Sequence, residues 1–227
     1  MKLNPLLVLV LITFLSCNER SVQLPETTNQ TILEISDVSP VYFFYNEESG
    51  EMKFNRNNLI GTTNWLVNID KRLTLEQILP DLNDLQKKRR KDGMHKNESA
   101  RNYFTCSNPD IQNLAFIDFT NITYRTESIT DYLITNPFND NTKVQVFINF
   151  KKDGAIDIGK KLMVKSSDMT NFESDLLQLS RSEALTDYLY LNFNEDLSFQ
   201  DYISFKSILL EIEGTELEVS QEEFIYK

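Results

Sequence analysis

The strongest constraint on the fold is an order of strand and helix patterns that occurs twice along the chain. Each occurrence has two apolar strand segments joined by a turn, then a helix, a strand and a second helix. The first occurrence begins at Val41 and the second at Val144, and closing strand segments follow the second at 217–219 and 224–226. Because a repeat fixes the whole architecture, this order predicts two modules of one type. The competing interpretation is that two α/β segments share a generic order by chance.

Capping and turn residues predict where the elements of the first occurrence lie. Thr74 and Gln77 have capping-box spacing, which predicts a helix that continues to about Arg90. The polar stretch 91–109 reads as irregular. Thr123 predicts the start of a second helix, whose inward apolar residues are Ile129, Leu133 and Ile134.

The second occurrence has similar signals. Asp153-Gly154 predicts a tight hairpin turn, and Ser198 with Asp201 predicts the start of the last helix. Residues 118–124 and 192–199 share residue types, so we align these two segments as corresponding positions.

The first sixteen residues have the pattern of a secretory signal peptide. The apolar run Leu6–Leu15 is shorter than the about 20 apolar residues that a membrane-spanning helix needs. It ends at Ser16-Cys17, which resembles the lipobox of bacterial lipoproteins, and the resemblance implies that Cys17 is acylated. Asn18 then favours the outer membrane, with the chain facing the periplasm or the cell surface. The alternatives are a plain signal peptide and an uncleaved anchor.

These patterns predict four segments. They are a signal peptide at 1–16, a lipidated tether at 17–37, a first α+β module with a basic insert at 38–140, and a second module at 141–227.

The composition excludes several functional classes. The chain has 23 basic and 34 acidic residues, a formal net charge of −11, whereas a nucleic-acid-binding protein needs a clustered basic surface. Two cysteines and one histidine exclude a disulfide scaffold and a multi-histidine metal centre. The motifs of nucleotide-binding proteins and of common hydrolases do not occur. We therefore expect no nucleic-acid partner, no metal, no cofactor and no catalytic residue.

Basic residues interrupt this acidic chain near the end of the first predicted helix. The candidate residues for binding an anion or a partner are Lys87, Lys88, Arg89, Arg90, Lys91, Lys96 and Arg101. Such a cluster suits phosphate headgroups, an anionic glycan or an acidic protein face. The alternative is a solvated helix end, because cations are favourable at a helix C-terminus.

Other chemically versatile residues have structural interpretations. His95 lies in the basic loop and is expected to face solvent. Cys106 has no histidine partner and is expected to be a small buried or half-buried hydrophobic residue, and Trp65 is expected to be a core residue. No spacing selects an acid–base pair among four aspartates, which are Asp118, Asp157, Asp187 and Asp196.

The second occurrence resembles the periplasmic domain of the biopolymer-transport ExbD/TolR family over about residues 142–227. The matching pieces are Val146–Ile158 with its Asp153-Gly154 turn, Leu189–Phe193, Asp196–Phe199 and Glu216–Val219. The resemblance implies two tandem two-layer α/β sandwiches, each a small sheet covered on one face by two helices. Members of the family also have a transmembrane helix with a functional aspartate, but Leu6–Leu15 holds no acidic residue. The resemblance therefore implies the envelope-side fold and not the motor activity.

These observations predict a non-catalytic lipoprotein of the cell envelope that is held to the membrane by its lipid and binds other proteins. The resemblance implies an accessory role beside an ExbB/ExbD-type energy-transducing transport complex. The alternative is a lipoprotein that binds a solute or glycan through the basic loop 87–101. A homodimer formed by edge-strand pairing of Glu216–Val219 is a further expectation, since a small open sheet leaves unpaired backbone groups.

Overall fold

The computed structural model of the chain describes residues 21–28, 32, 34–91, 97–180, 185–212 and 217–227. These residues form a mixed α/β protein with two β-sheets and four helices, which confirms the predicted α+β class. None of the described helices is long and apolar enough to cross a membrane.

The first sheet has five strands in the order β2-β1-β3-β4-β5. The strands are β1 (Val38–Tyr45), β2 (Met52–Asn55), β3 (Asn64–Ile69), β4 (Asn102–Asn108) and β5 (Asn113–Asp118). Strands β1, β3 and β4 are parallel, and the outer strands β2 and β5 are antiparallel to their neighbours. Helix α1 (Leu75–Arg90) connects β3 to β4 and begins at the predicted capping box of Thr74 and Gln77.

The second sheet has six strands in the order β6-β11-β10-β7-β8-β9. The strands are β6 (Thr123–Arg125), β7 (Lys143–Phe150), β8 (Ala155–Lys160), β9 (Met163–Asp168), β10 (Thr186–Asn194) and β11 (Leu217–Tyr226). The helices of this half are α2 (Ile129–Thr135), α3 (Phe172–Ser180) and α4 (Phe199–Ile212). Helices α3 and α4 pack on one face, where Phe150 contacts both Phe172 and Phe205. Helix α2 lies on the opposite face, where Tyr132 contacts Phe224.

Four strands repeat in order and direction between the two sheets: β2-β1-β3-β4 matches β8-β7-β10-β11. Helix α1 then corresponds to α4, and residues 68–75 correspond to 192–199 at an offset of 192 − 68 = 124 positions. Our alignment of 118–124 with 192–199 is wrong. Residues 113–118 form an added antiparallel edge strand, and a strand instead of a helix follows them. The expectation of two helices on each sheet is also wrong for the first sheet, because a loop at 56–63 stands where α3 stands in the second half.

The starts of α1 and α4 pair with each other around an approximate two-fold axis at Thr74 and Ser198. The backbone hydrogen bonds across the axis are Leu75 N to Leu197 O, Phe199 N to Leu73 O, Glu76 N to Glu195 O and Gln200 N to Lys71 O. The first N–H groups of a helix have no partner within that helix. Each helix therefore obtains its first acceptors from the other half.

A single hydrophobic core extends through both halves. Phe104 of the first sheet stacks on Phe119 with a centroid distance of 3.8 Å and contacts the ring edges of Phe199 and Tyr202. Tyr202 in turn contacts Phe193 of the second sheet at 5.0 Å. The two halves therefore bury their apolar faces against a shared set of helices.

Other predicted boundaries differ from the structure. Residues 102–108, within the stretch predicted to be irregular, form β4. Thr123 begins strand β6, and α2 begins only at Ile129 with Ser128 as its cap. Strand β6 belongs to the second sheet, so the sheets do not divide at the predicted boundary of 140/141. The last strand lies between β10 and β6, so the edge strands of this sheet are β6 and β9, but β6 pairs only with residues 222–224 of β11. Among the described strands, residues 217–219 therefore pair with β10 on one side only, and a homodimer through this segment stays a prediction. Glu216 lies outside the described residues.

Part of the segment assigned to a tether is docked on the folded body. Gln23 N donates to Asp70 Oδ2 at 3.1 Å, and Thr27 N donates to Ser107 O at 3.0 Å. The Thr27 hydroxyl lies 2.7 Å from that of Ser207 in α4. Residues 23–28 are therefore held by both halves, and Cys17 lies outside the described residues.

Candidate ligand-binding site

The basic cluster divides into one buried side chain and several exposed ones. Arg89 is buried, and its guanidinium lies over the ring of Trp65 at 3.7 Å. It donates to Asn102 Oδ1 at 2.7 Å and to the carbonyl groups of Gly61 and Thr63. Burial lowers the pKa of Arg89 to about 10. Because its donors are engaged by the protein, Arg89 joins α1 to the first sheet and is not available to an anion.

The exposed members of the cluster do not converge on a cavity. Lys87 lies 3.6 Å from Asp84 on the same helix, and Arg90 donates to Ile122 O at 2.6 Å. Lys88, Lys91 and Arg101 are also exposed, whereas Lys96 and His95 lie outside the described residues. This arrangement fits a solvated helix end better than a built anion site.

The four aspartates considered as acid–base groups bond to separate partners. Asp187 and Lys160 form a buried ion pair at 2.8 Å. The remaining interactions are Asp157 with Lys151, Asp196 with Lys152 and Asp118 with Thr120. Trp65 and Cys106 are buried in the core as predicted, and burial raises the pKa of the Cys106 thiol to about 12.

One buried polar cluster escaped the sequence analysis. Tyr202 Oη and Lys206 Nζ both donate to Glu223, at 2.7 and 2.6 Å, and the hydroxyl of Tyr124 lies 3.4 Å from that of Tyr202. Burial, followed by the charge of Glu223, raises the pKa of Tyr202 well above its ordinary value. The members of the cluster satisfy one another, so it joins α4 to β11 and has the character of a structural group.

A cavity of about 880 Å³ lies at the carboxyl ends of the parallel strands of the second sheet. The chain leaving β6 runs to α2 on one face, and the chain leaving β10 runs to α4 on the other. Residues that follow these strands line the opening, among them Thr126 and Glu195, and Tyr226 at the end of β11 joins them. Ligands of open α/β sheets bind outside the carboxyl ends of the strands, where connections diverge to opposite faces; here β11 lies between the two strands whose connections diverge. The volume also lies within the usual range for small-molecule sites, about 300–1,000 Å³.

Helix α2 supplies much of the apolar wall. Its residues Ile129, Leu133 and Ile134 line the cavity together with Phe147 of the sheet. No residue of α2 is buried, and Ile134 is 73% exposed. The expectation that these residues point into the core is therefore wrong. The apolar side of the helix faces open space that a ligand can fill.

Apolar surface makes up most of the lining, and its polar residues include three hydroxyl residues near the start of α2 and a pair of asparagines. Asn149 and Asn192 lie opposite each other on β7 and β10, and Asn192 Nδ2 donates to Asn149 Oδ1 at 2.8 Å. The charged residues of the lining are Glu127, Glu195 and Lys227. Glu127 lies 3.5 Å from Arg125, and Glu195 lies 4.0 Å from Lys227. The cavity therefore combines an apolar wall with a pair of neutral amides.

None of these lining residues was selected as a site by the sequence analysis. One usable signal was Phe147, because it interrupts the polar face of a strand whose other face carries Val146, Ile148 and Phe150. A second was a helix of only seven residues with three apolar side chains, too short to form a core layer of its own.

Comparison of the chain with protein-family models, with curated proteins and with solved structures gave no match.

Proposed function

We propose that this chain is a non-catalytic, lipid-anchored binding protein of the bacterial cell envelope that holds a small, largely apolar ligand in the cavity under α2. The observation that carries the binding role is the unburied apolar side of α2, which lines a cavity of about 880 Å³. An apolar wall facing an open cavity leaves hydrophobic area exposed to water, and a ligand that fills the space removes this cost. This proposal moves the solute site away from the basic loop 87–101, where Arg89 is already bonded within the protein.

A fluorescence titration tests the binding role. The protein is the chain from Asn18 onward, which contains every described helix and strand, and the probe is N-phenyl-1-naphthylamine, which brightens in apolar surroundings. We expect saturable one-to-one binding. The variant Leu133→Glu should abolish it, because a carboxylate then lies in the apolar wall. The matched control Ile60→Glu changes an exposed isoleucine that does not line the cavity, and it should bind as the unmodified chain does. Absence of saturable binding, or equal binding by both variants, would contradict the proposal.

The anchor rests on the apolar run Leu6–Leu15 and the Ser16-Cys17 junction. Residues 18–22 separate Cys17 from the docked Gln23, so the extended connection spans at most about 20 Å. The lipid would therefore hold the folded body close to the membrane. Metabolic labelling with an alkyne fatty acid should mark the unmodified chain and the control Cys106→Ser, but not Cys17→Ser. Equal labelling of both variants would exclude acylation at Cys17.

The ExbD/TolR-like resemblance supports a second candidate function, binding of an envelope protein such as an ExbB/ExbD-type subunit. The shared order of four strands in both halves is compatible with two related sandwiches. A specific observation favours a docking role: Leu162 is fully exposed at the turn before the edge strand β9, and Met163 and Val164 are 57% and 72% exposed. Exposed apolar residues on an edge strand are suited to pairing with another chain.

Crosslinking in intact cells tests this second function. The unmodified chain should recover a proton-channel or ExbD-type subunit, and Val164→Lys should not, because a charge then lies on the edge strand. Val164→Lys is preferable to a deletion because it leaves the sheet core unchanged. Removal of Tyr188–Lys227 would delete α4, β11 and most of β10. Equal recovery by both chains would argue against docking through β9.

A further inference from the structure

The two asparagines on the floor of the cavity have hydrogen-bonding capacity that the protein does not use. Their side-chain hydrogen bond within the described chain is the one that joins them, from Asn192 Nδ2 to Asn149 Oδ1. An asparagine amide offers two donors and one carbonyl acceptor with two lone pairs. The pair therefore keeps a free N–H donor on Asn149 and free acceptor capacity on Asn192. If the assigned oxygen and nitrogen atoms of both amides are exchanged, the pair still has one free N–H donor and one free carbonyl acceptor, with the two residues in exchanged roles.

The corresponding positions in the first half show that the pair is not required by the sheet. Asn68 corresponds to Asn192, and its strand partner is Tyr42, which takes the place of Asn149. The Asn68 amide donates to the backbone carbonyl groups of Val41 and Leu66, both at 3.0 Å. In the first half the amide is thus bound by the sheet itself, whereas in the second half two amides lie in the lining of a cavity.

The described lining offers no unpaired cation to an anionic ligand. The Glu127 carboxylate lies 3.5 Å from Arg125, and the Glu195 carboxylate lies 4.0 Å from Lys227. A fatty-acid carboxylate would have to compete with Glu195 for Lys227. A neutral group that both donates and accepts hydrogen bonds matches Asn149 and Asn192 without this competition.

We propose that the cavity binds a neutral aliphatic ligand through a primary amide or lactam, whose adjacent N–H and C=O bond to Asn192 and Asn149 while its apolar body lies against Phe147 and α2. This inference rests on the proposed binding function. In primary amides and lactams, an N–H lies on the same side as the carbonyl oxygen. A secondary amide in its preferred trans form has its N–H on the opposite side and presents only one of the two groups at this edge.

Displacement of N-phenyl-1-naphthylamine from the chain beginning at Asn18 tests the ligand class. The competitors are octanamide, N-methyloctanamide, methyl octanoate and octanoate, which share one acyl chain. Octanamide should displace the probe at a concentration up to about tenfold lower than the other three, since the secondary amide and the ester each lose one of the two hydrogen bonds, and one net hydrogen bond is worth up to about one such factor. A lactam with an octyl substituent should compete as octanamide does, and its failure would restrict the ligand to primary amides.

The double variant Asn149→Leu with Asn192→Leu should bind the probe but lose the preference for octanamide. If it does not fold, Asn149→Ser provides the same comparison, because it removes one amide and keeps a small polar side chain. The control Asn68→Leu removes the corresponding asparagine of the first half and should retain the preference. Equal displacement by amide and ester, or a preference that survives in the Asn149 variants, would overturn the inference while leaving the binding function intact. Absence of probe binding by the unmodified chain would instead refute the binding function itself.

Discussion

Two leucine-to-alanine substitutions measure whether the wall of the cavity is unfilled. Leu82 of α1 is 2% exposed in the shared core, so Leu82→Ala should lower the free energy of unfolding by about 2–5 kcal/mol. Leu133 of α2 is only half-buried and borders open space. Its substitution loses about half of the roughly 2.4 kcal/mol that three buried carbons contribute, and it creates no new enclosed void. We therefore expect Leu133→Ala to cost about 1 kcal/mol in the absence of ligand.

Urea unfolding with and without N-phenyl-1-naphthylamine measures both effects. A ligand at one hundred times its dissociation constant stabilises the folded state by about 2.7 kcal/mol. The unmodified chain and Leu82→Ala should both show this gain. Leu133→Ala should show a smaller gain, because its weaker contact raises the dissociation constant. If Leu133→Ala costs as much as Leu82→Ala without ligand, α2 is already held by close packing and the reasoning about an unfilled wall is refuted.

Three further predictions follow from buried polar groups. Arg89→Met should lower the free energy of unfolding by about 2–3 kcal/mol in urea titrations, since buried acceptors lose their donor, whereas the change for Lys87→Met should stay within about 0.5 kcal/mol. Burial raises the pKa of Asp70, but hydrogen bonds from Arg72 and from backbone N–H groups lower it by more. The net pKa of Asp70 is therefore below its ordinary value. The contribution of Asp70 to the free energy of unfolding should therefore be complete above about pH 4 and be lost as the pH falls through the lowered pKa. Asp70→Asn should flatten this part of the plot of unfolding free energy against pH. An unchanged plot would contradict the assignment. Cys106, whose pKa burial raises to about 12, should react with Ellman's reagent only at the rate of unfolding.

Local signals predicted the elements that local interactions stabilise. The capping box of Thr74 and Gln77 forms as the sequence predicts, because its two hydrogen bonds depend on residues three positions apart. The Asp153-Gly154 turn likewise joins β7 to β8, and Gly154 has a φ of 82°, which a residue with a Cβ rarely adopts. Such elements require no knowledge of the remainder of the chain.

Strand β4 could not be predicted in this way, because its buried positions include polar residues. Asn102, Thr105 and Asn108 are all buried, which conceals the apolar alternation of a core strand. Asn102 is acceptable there because Arg89 of α1 donates to it and it donates to Gln86 at 2.8 Å. Those partners lie 13 and 16 positions away, so only the folded arrangement accounts for a polar residue in the core.

The cavity could not be predicted from local patterns either, because it arises from a difference between two similar halves. Helix α2 precedes β7, whereas the described residues before β1 form no helix, so the described part of the first half has no counterpart of α2. In the second half the chain continues from β6 into α2. Helix α2 has no buried residue and covers Phe147 and the paired asparagine amides only incompletely. The residue types of this site do not distinguish it from the first half. Asn192 corresponds to Asn68, and the difference is the strand partner, which is Asn149 in the second half and Tyr42 in the first. The proposed binding function therefore depends on where α2 lies. The spacing of Ile129 and Leu133 predicts the helix, but it does not predict which part of the sheet the helix covers.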